Sequence, residues 1–158
     1  TKNKLNYATL NAIPHWRKTL SNFSTDEFDI DGHRWKSVEH FYQGSKFKKG
    51  NPEFYETFSL DSGSALSKNP SLAKTAGGKT GKSKGTVLRP ATIKIDEDFF
   101  TDGRNERVMY RAQMAKYKQN EAAKNVLLNT RDAKLQHFVR ASKPIVFYDT
   151  MKIREILK

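Results

Sequence analysis

Glu39, Gln43 and Lys46 stand four and then three residues apart in the stretch Val38-Glu39-His40-Phe41-Tyr42-Gln43-Gly44-Ser45-Lys46-Phe47. On a helix these steps put a carboxylate, an amide and an amine on one face, with the Tyr42 phenol bordering the strip. A carboxylate held this way can stabilise developing positive charge or activate a water. An amine can hold an anion or, once deprotonated, attack an electrophilic carbon. The same spacing also describes an ordinary surface Glu/Lys pair, and periodicity alone does not choose between the two readings.

The elements that must hold the strip are legible around it. Ser37 is a natural N-cap, and Val38, Phe41, Tyr42 and Phe47 recur at helical spacing, which predicts a helix over residues 38–47. Ahead of it, residues 20–35 read as two short extended pieces, with Phe23, Phe28 and Ile30 as apolar positions and Asp31-Gly32 as a hairpin turn. Residues 52–58, with Pro52 in the first turn, and 64–68, ended by Asn69-Pro70, read as short helices. Residues 75–90 are rich in Gly, Lys, Ser and Thr without an apolar period and read as a mobile basic loop. Asp102 or Asn105 is placed to start a helix in which Val108, Met109, Ala112, Ala115 and Tyr117 form one apolar stripe, and a second helix follows over residues 121–128. Residues 135–139 and 145–148 have the composition of strands, and Thr150 is placed to cap a last helix carrying Met151, Ile153, Ile156 and Leu157. The sum is an α+β fold, predominantly helical with a few short strands, in one domain over residues 1–158.

Composition narrows the chemistry. A chain of 158 residues with 36% hydrophobic content closes one core and seldom divides into two. The lack of cysteine excludes disulfides, thiolate metal sites and cysteine nucleophiles. His15, His33, His40 and His137 are scattered without short ligand spacing, so no metal is expected, nor any cofactor. No Gly-x-Ser-x-Gly elbow marks a serine nucleophile. Gly77-Gly78-Lys79-Thr80-Gly81-Lys82-Ser83 is not an NTPase phosphate loop, because Ala76 stands where the leading glycine belongs and no hydrophobic strand precedes it. Its backbone N–H groups and lysines still suit a diphosphate or a nucleic-acid backbone. No apolar run approaches the roughly 20 residues that cross a bilayer, and residues 1–6 lack the apolar segment of a secretory signal. The expectation is a soluble intracellular protein, cytoplasmic or nuclear, without a membrane partner. Lys and Arg number 29 against 17 acids, and a net charge of +12 attracts nucleic acid, a dinucleotide or no specific partner at all.

The wording of the first half is more specific than its periodicity. Leu20-Ser21-Asn22-Phe23, then Phe28 and Asp31-Gly32, then Trp35-Lys36-Ser37-Val38-Glu39-His40-Phe41-Tyr42-Gln43 and Lys46-Phe47 follow one another in order. This order and spacing resembles the opening of the NADAR family, which includes the riboflavin-intermediate N-glycosidases of bacteria and plants and the guanine de-ADP-ribosylating enzymes. Val108-Met109, Ala112 and Ala115-Lys116-Tyr117 make a second match, and Leu127-Leu128 with Thr130 a third. The resemblance spans residues 20–157, with gaps.

The resemblance implies a NADAR-like α+β domain that hydrolyses the N-glycosidic bond of an ADP-ribose-type substrate. Removal of ADP-ribose from guanine in nucleic acid comes first, because the basic balance suits a polyanion. The alternatives are cleavage of small phosphorylated N-ribosides such as riboflavin-biosynthesis intermediates, and a non-catalytic ADP-ribose or nucleic-acid binding module. The resemblance further implies that Asn22 and Phe23 help hold the ligand and that Glu39 and Lys46 perform or support catalysis. Breaking a ribosyl C1–N bond develops positive charge on the sugar, which Glu39 can stabilise, or it can activate the incoming water. Lys46 either steadies a pyrophosphate or carboxylate, or attacks C1 and forms a Schiff base with the opened sugar. Gln43 and His40 either position hydroxyls and the base or are satisfied structural groups, and Tyr42 and Trp35 either stack on a base or belong to the core. The C-terminal part departs from the family. Its Trp-Gly-rich segment after an acidic residue, and the Gly-x-Asn-x-Leu-Gly ahead of the final helix, have no counterpart where Ser142-Lys143-Pro144 leads into Ile145. Asp149 either replaces the missing acid at the site or serves the N-terminus of the last helix.

Overall fold

The computed structural model describes residues 7–158; residues 1–6, read above for their lack of a secretory signal, lie outside the described residues. Among the described residues the chain forms eight α-helices and three two-stranded antiparallel ladders, the helix-dominated α+β fold expected. Helices α1 (Ala8–Asn11) and α2 (Trp16–Thr19) open it. Neither was anticipated, because four residues are too few to show an apolar period. Strands β1 (Phe28–Ile30) and β2 (His33–Trp35) pair with Ile30 opposite His33. Asp31 and Gly32 join them with φ of 54° and 77°, the pair of positive values a tight hairpin turn requires. The first extended piece begins later than expected, since residues 21–24 turn through a Ser24 N–H to Ser21 carbonyl bond of 3.1 Å.

Ser37 caps α3 (Val38–Ser45), its Oγ accepting the His40 N–H at 3.3 Å. The helix ends before the expected residue 47, and Asp96 is the reason. Its N–H donates to the Lys46 carbonyl at 2.7 Å, and its carboxylate accepts the N–H groups of Lys49 and Gly50 at 3.0 and 2.9 Å. The chain therefore turns around Asp96 instead of prolonging the helical ladder. Helix α4 (Pro52–Glu56) has its proline in the first turn. The expected helix over 64–68 is a 3-10 turn at Leu66–Lys68, and the Asn69-Pro70 that ends it also starts an unanticipated helix, α5 (Pro70–Ala76). Asn69 accepts the Ser71 N–H at 2.9 Å, so one Asn-Pro pair is both stop and start.

Residues 75–90, expected to be a loop without regular structure, hold the end of α5 and a hairpin of β3 (Lys82–Ser83) and β4 (Thr86–Val87). Lys84 and Gly85 turn between these strands with φ of 50° and 82°. A two-residue ladder with both strands exposed carries no apolar alternation, which is why composition hid it. Helix α6 (Arg104–Gln119) is preceded by Gly103 at φ 72°; neither Asp102 nor Asn105 caps it, and no side chain does. Its apolar residues form two stripes, not one. Val108, Met109, Ala112 and Ala115 pack on the cluster of Phe28, Trp35, Val38, Phe41, Phe47 and Phe58, while Tyr110, Met114 and Tyr117 pack with Leu127, Leu135 and Ile153. Helix α7 (Glu121–Asn129), strands β5 (Gln136–His137) and β6 (Ile145–Val146), and helix α8 (Tyr148–Leu157) complete the fold. Thr150 is not the cap of α8 but its third residue, buried and donating to Gln113 Oε1 at 2.7 Å. No described helix is long and apolar enough to cross a membrane.

Candidate active site

Glu39, Gln43 and Lys46 share one face of α3, which looks onto the C-terminal end of α5. Gln43 Nε2 donates to Glu39 Oε1 at 2.7 Å, and Lys46 Nζ donates to the Gly77 carbonyl at 2.9 Å. The three residues are 7, 5 and 8% exposed, which rules out the solvated surface Glu/Lys pair. Gly77 permits this close approach. A Cβ placed there would lie 2.0 Å from Gln43 Oε1, so any side chain would expel the amide. Gln43 Oε1 is itself buried without a hydrogen-bond donor, and leaving such an atom unsatisfied costs about 1–3 kcal/mol.

Arg89 holds the opposing wall. Its guanidinium donates to the carbonyls of Ala76 at 2.7 Å, Gly78 at 2.8 Å and Lys79 at 3.2 Å, which fastens the backbone on both sides of Gly77. Gly81 makes room for it, since a Cβ there would stand 2.7 Å from Arg89 Cβ at a φ of 68°. The third wall is aromatic. Lys46 Nζ lies 5.5 Å from the Tyr42 ring centroid and 5.7 Å from that of Phe100, and Tyr42 meets Phe99 edge-on at 5.4 Å. Burial pulls the Lys46 amine below the usual lysine value; the Glu39 charge opposes this and the Arg89 charge reinforces it. Burial also raises the Tyr42 phenol, against a lowering contribution from Asn105.

The turn at residues 21–24 meets the N-terminus of α3. The Asn22 carbonyl accepts the Glu39 N–H at 3.0 Å. Thr150 donates to Gln113 Oε1 and Gln113 Nε2 donates to Asn22 Oδ1 at 3.2 Å, so a relay from α8 through α6 sets the orientation of the Asn22 amide. Phe23 is half-buried with Lys74 Nζ 5.8 Å from its ring, on the α5 side of the strip. Asp149 lies in the first turn of α8, beside the Thr150 end of that relay, where its charge also favours the helix end.

Two residues weighed for the site belong to the scaffold. Trp35 is fully buried, its Nε1 donating to the Ile30 carbonyl at 3.1 Å and its ring packed on Phe41 and Tyr55, so no face remains for a base. His40 is also fully buried, and its Nε2 must donate to the Leu66 carbonyl at 2.8 Å. Nδ1 then accepts from Ser37 Oγ at 2.7 Å. Burial pushes its pKa down to about 4, so at neutral pH it is an uncharged tie between α3 and the Leu66–Lys68 turn. Arg89, Phe99 and Phe100 escaped the sequence reading, and Gly77 entered it only as part of a stretch suited to phosphate. For Gly77 and Arg89 the available signal was a glycine and an arginine inside a segment whose composition reads as loop.

A family model described as the NADAR domain matches residues 12–143. Among solved structures, the NMR structure of the E. coli protein YbiA is similar at a TM-score of 0.61 and 24% identity, covering 88% of this chain and 77% of that one. No curated protein matches the chain. The matched span takes in α3, the Gly77 wall, Arg89 and all of α6, and the chain belongs to the NADAR family.

Proposed function

We propose that the protein is an N-glycosidase that hydrolyses the C1–N bond of an ADP-ribose-type substrate, with ADP-ribose on guanine in nucleic acid as the preferred case. Family membership suggests N-glycosidase-like activity. The observation that carries the reading further is the buried Glu39–Gln43–Lys46 strip, closed on one side by Gly77 and on the other by Tyr42 and Phe100. As the C1–N bond breaks, positive charge spreads over C1 and the ring oxygen, and a desolvated carboxylate answers it far more strongly than one in water. Gln43 orients Glu39 through the bond from its Nε2. Lys46, held by one carbonyl and short of solvent, gives up its proton more readily than a surface lysine and attacks C1. The base departs with a proton, the ring opens to a Schiff base on Nζ, and water then releases the sugar. Asn22, its Oδ1 engaged by Gln113, turns its Nδ2 to the ligand, and Phe23 lines the entry. The guanine must lie outside a base stack for C1 to reach the strip, so a single strand or an extruded nucleotide is the form bound.

The test is incubation with ADP-ribosylated guanine in a DNA strand and, separately, with a phosphorylated N-riboside. Wild type is expected to release ADP-ribose from the first and leave unmodified guanine in the strand, with Glu39→Gln and Lys46→Ala each slower by about 10²-fold or more. Borohydride added during turnover should link sugar to the wild type and not to Lys46→Ala. Intact substrate in every reaction would overturn the proposal, and cleavage of the small riboside alone would replace its substrate.

A further inference from the structure

The face of α6 that carries Arg104, Arg107, Val108 and Arg111 at helical spacing lies across the side of α3 opposite the catalytic strip. Between them runs a groove of about 470 Å³ whose floor includes Phe41 and Val108 and whose rim is basic: Lys48 and Lys49 after α3, Arg104, Arg107 and Arg111 on α6. The proposed catalysis uses none of these residues. Their carboxylate partners are too few. Lys48 and Arg111 share Asp31, at 3.0 and 2.8 Å. Lys49 and Arg104 share Asp98, Arg104 also pairs with Asp96 at 3.0 Å, and Arg107 has no carboxylate partner among the described residues. The side chains of Lys48, Lys49 and Arg111 are 44, 64 and 50% exposed, and exposed pairs of this kind contribute only about 0–1 kcal/mol. A phosphate can therefore take these cations over at little cost.

Between the groove and the strip lies the fully buried Phe99, which meets Tyr42 at 5.4 Å and lies 5.4 Å from the Arg104 guanidinium. Next to it Phe100 is 60% exposed, with its ring 5.7 Å from Lys46 Nζ. An exposed aromatic beside cations and an apolar floor is the pattern by which proteins hold an unpaired strand, with bases stacked on rings and phosphates on lysine and arginine. A duplex keeps its bases from the Phe100 ring, and a lone nucleotide in the strip leaves the rim unused.

We infer that this α3–α6 groove binds the phosphate backbone of single-stranded nucleic acid, guiding a strand from the Glu39–Lys46 strip across Phe100 and along Arg104, Arg107 and Lys49. The inference rests on the proposed function for the direction of the strand but not for binding, so the two are tested separately. Binding of a short labelled oligothymidylate, unmodified and without any scissile bond, is followed by fluorescence anisotropy across a salt series. Lys49→Glu/Arg107→Glu is expected to bind about tenfold or more weakly and to flatten the logarithmic salt slope by about 2. Arg107→Ala, which breaks no carboxylate pair, should lose affinity and about 1 unit of slope. Phe100→Ala should weaken binding with the slope unchanged. A hairpin control, Lys82→Glu/Lys84→Glu, should lose less than either Arg107 variant, and cleavage of an ADP-ribosylated guanosine monomer should be the same in the two Arg107 variants and wild type. Wild-type affinity in both groove variants, or a loss confined to the hairpin control, would overturn the groove whatever the enzyme assay shows. Groove-dependent binding without any cleavage of ADP-ribosyl guanine would sustain the groove and sink the proposed reaction.

Discussion

At Lys46 the environment works against the charge. Burial and Arg89 both favour the neutral amine, and Glu39 only partly opposes them. If the amine attacks C1, turnover must rise with pH as Nζ loses its proton, along a limb lying below the 10.5 of an ordinary lysine. Lys46→Arg keeps a cation and removes the nucleophile, since a guanidinium stays protonated at any accessible pH. Its turnover should fall by about 10²-fold or more and the limb should disappear. A variant with near-native rates would instead make the residue an anion holder. The position of this amine was readable in the sequence, because helical spacing alone decides that Glu39, Gln43 and Lys46 face the same way. What they face was not. Gly77 is 31 residues beyond Lys46, and nothing local to either residue announces their contact.

At the level of elements, α5 and α3 approach one another because position 77 has no side chain. Its backbone lies at φ −83°, which alanine tolerates, so the cost of Gly77→Ala is steric and centred on Gln43. That variant is expected to lose about 1–3 kcal/mol in urea unfolding, the usual range for overpacking, together with most of its turnover. Combining it with Gln43→Ala should restore most of the stability and none of the turnover. Restoration of both would mean that the amide has no part in the chemistry. Elements with an apolar period or a strong cap, such as α3 and α7, and hairpins with an Asp-Gly turn, were legible in advance. Helix α5 is hidden, because Asn69-Pro70 reads as a stop while it is also a start. The α6 stripe reads as single in the sequence because Tyr117 follows Ala112 and Ala115 in helical register, yet it packs, with Tyr110 and Met114, on a different cluster.

At the scale of the molecule, α6 carries a buried cation. Lys116 is 1% exposed and donates to the carbonyls of Thr19 and Ser21, the latter at 2.9 Å, which anchors the turn that presents Asn22 and Phe23. Burial pushes its pKa down to about 8, against a weaker raising effect of Asp26. The folded state therefore binds this proton less tightly than the unfolded chain, whose lysine titrates near 10.5, and the contribution of Lys116 to stability grows as pH rises from about 8 towards 10.5. Comparing wild type with Lys116→Met by urea unfolding from pH 7 to 9.5 should show the gap widening in favour of wild type above pH 8. A constant gap would mean that the amine stays charged throughout. The same helix has Phe41 and Val38 on one flank and Leu127 and Ile153 on the other. Opening either cluster strips a side of α6, so among the described residues the two halves are expected to melt together. The candidate site, assembled from both, should then be kept or lost as one unit.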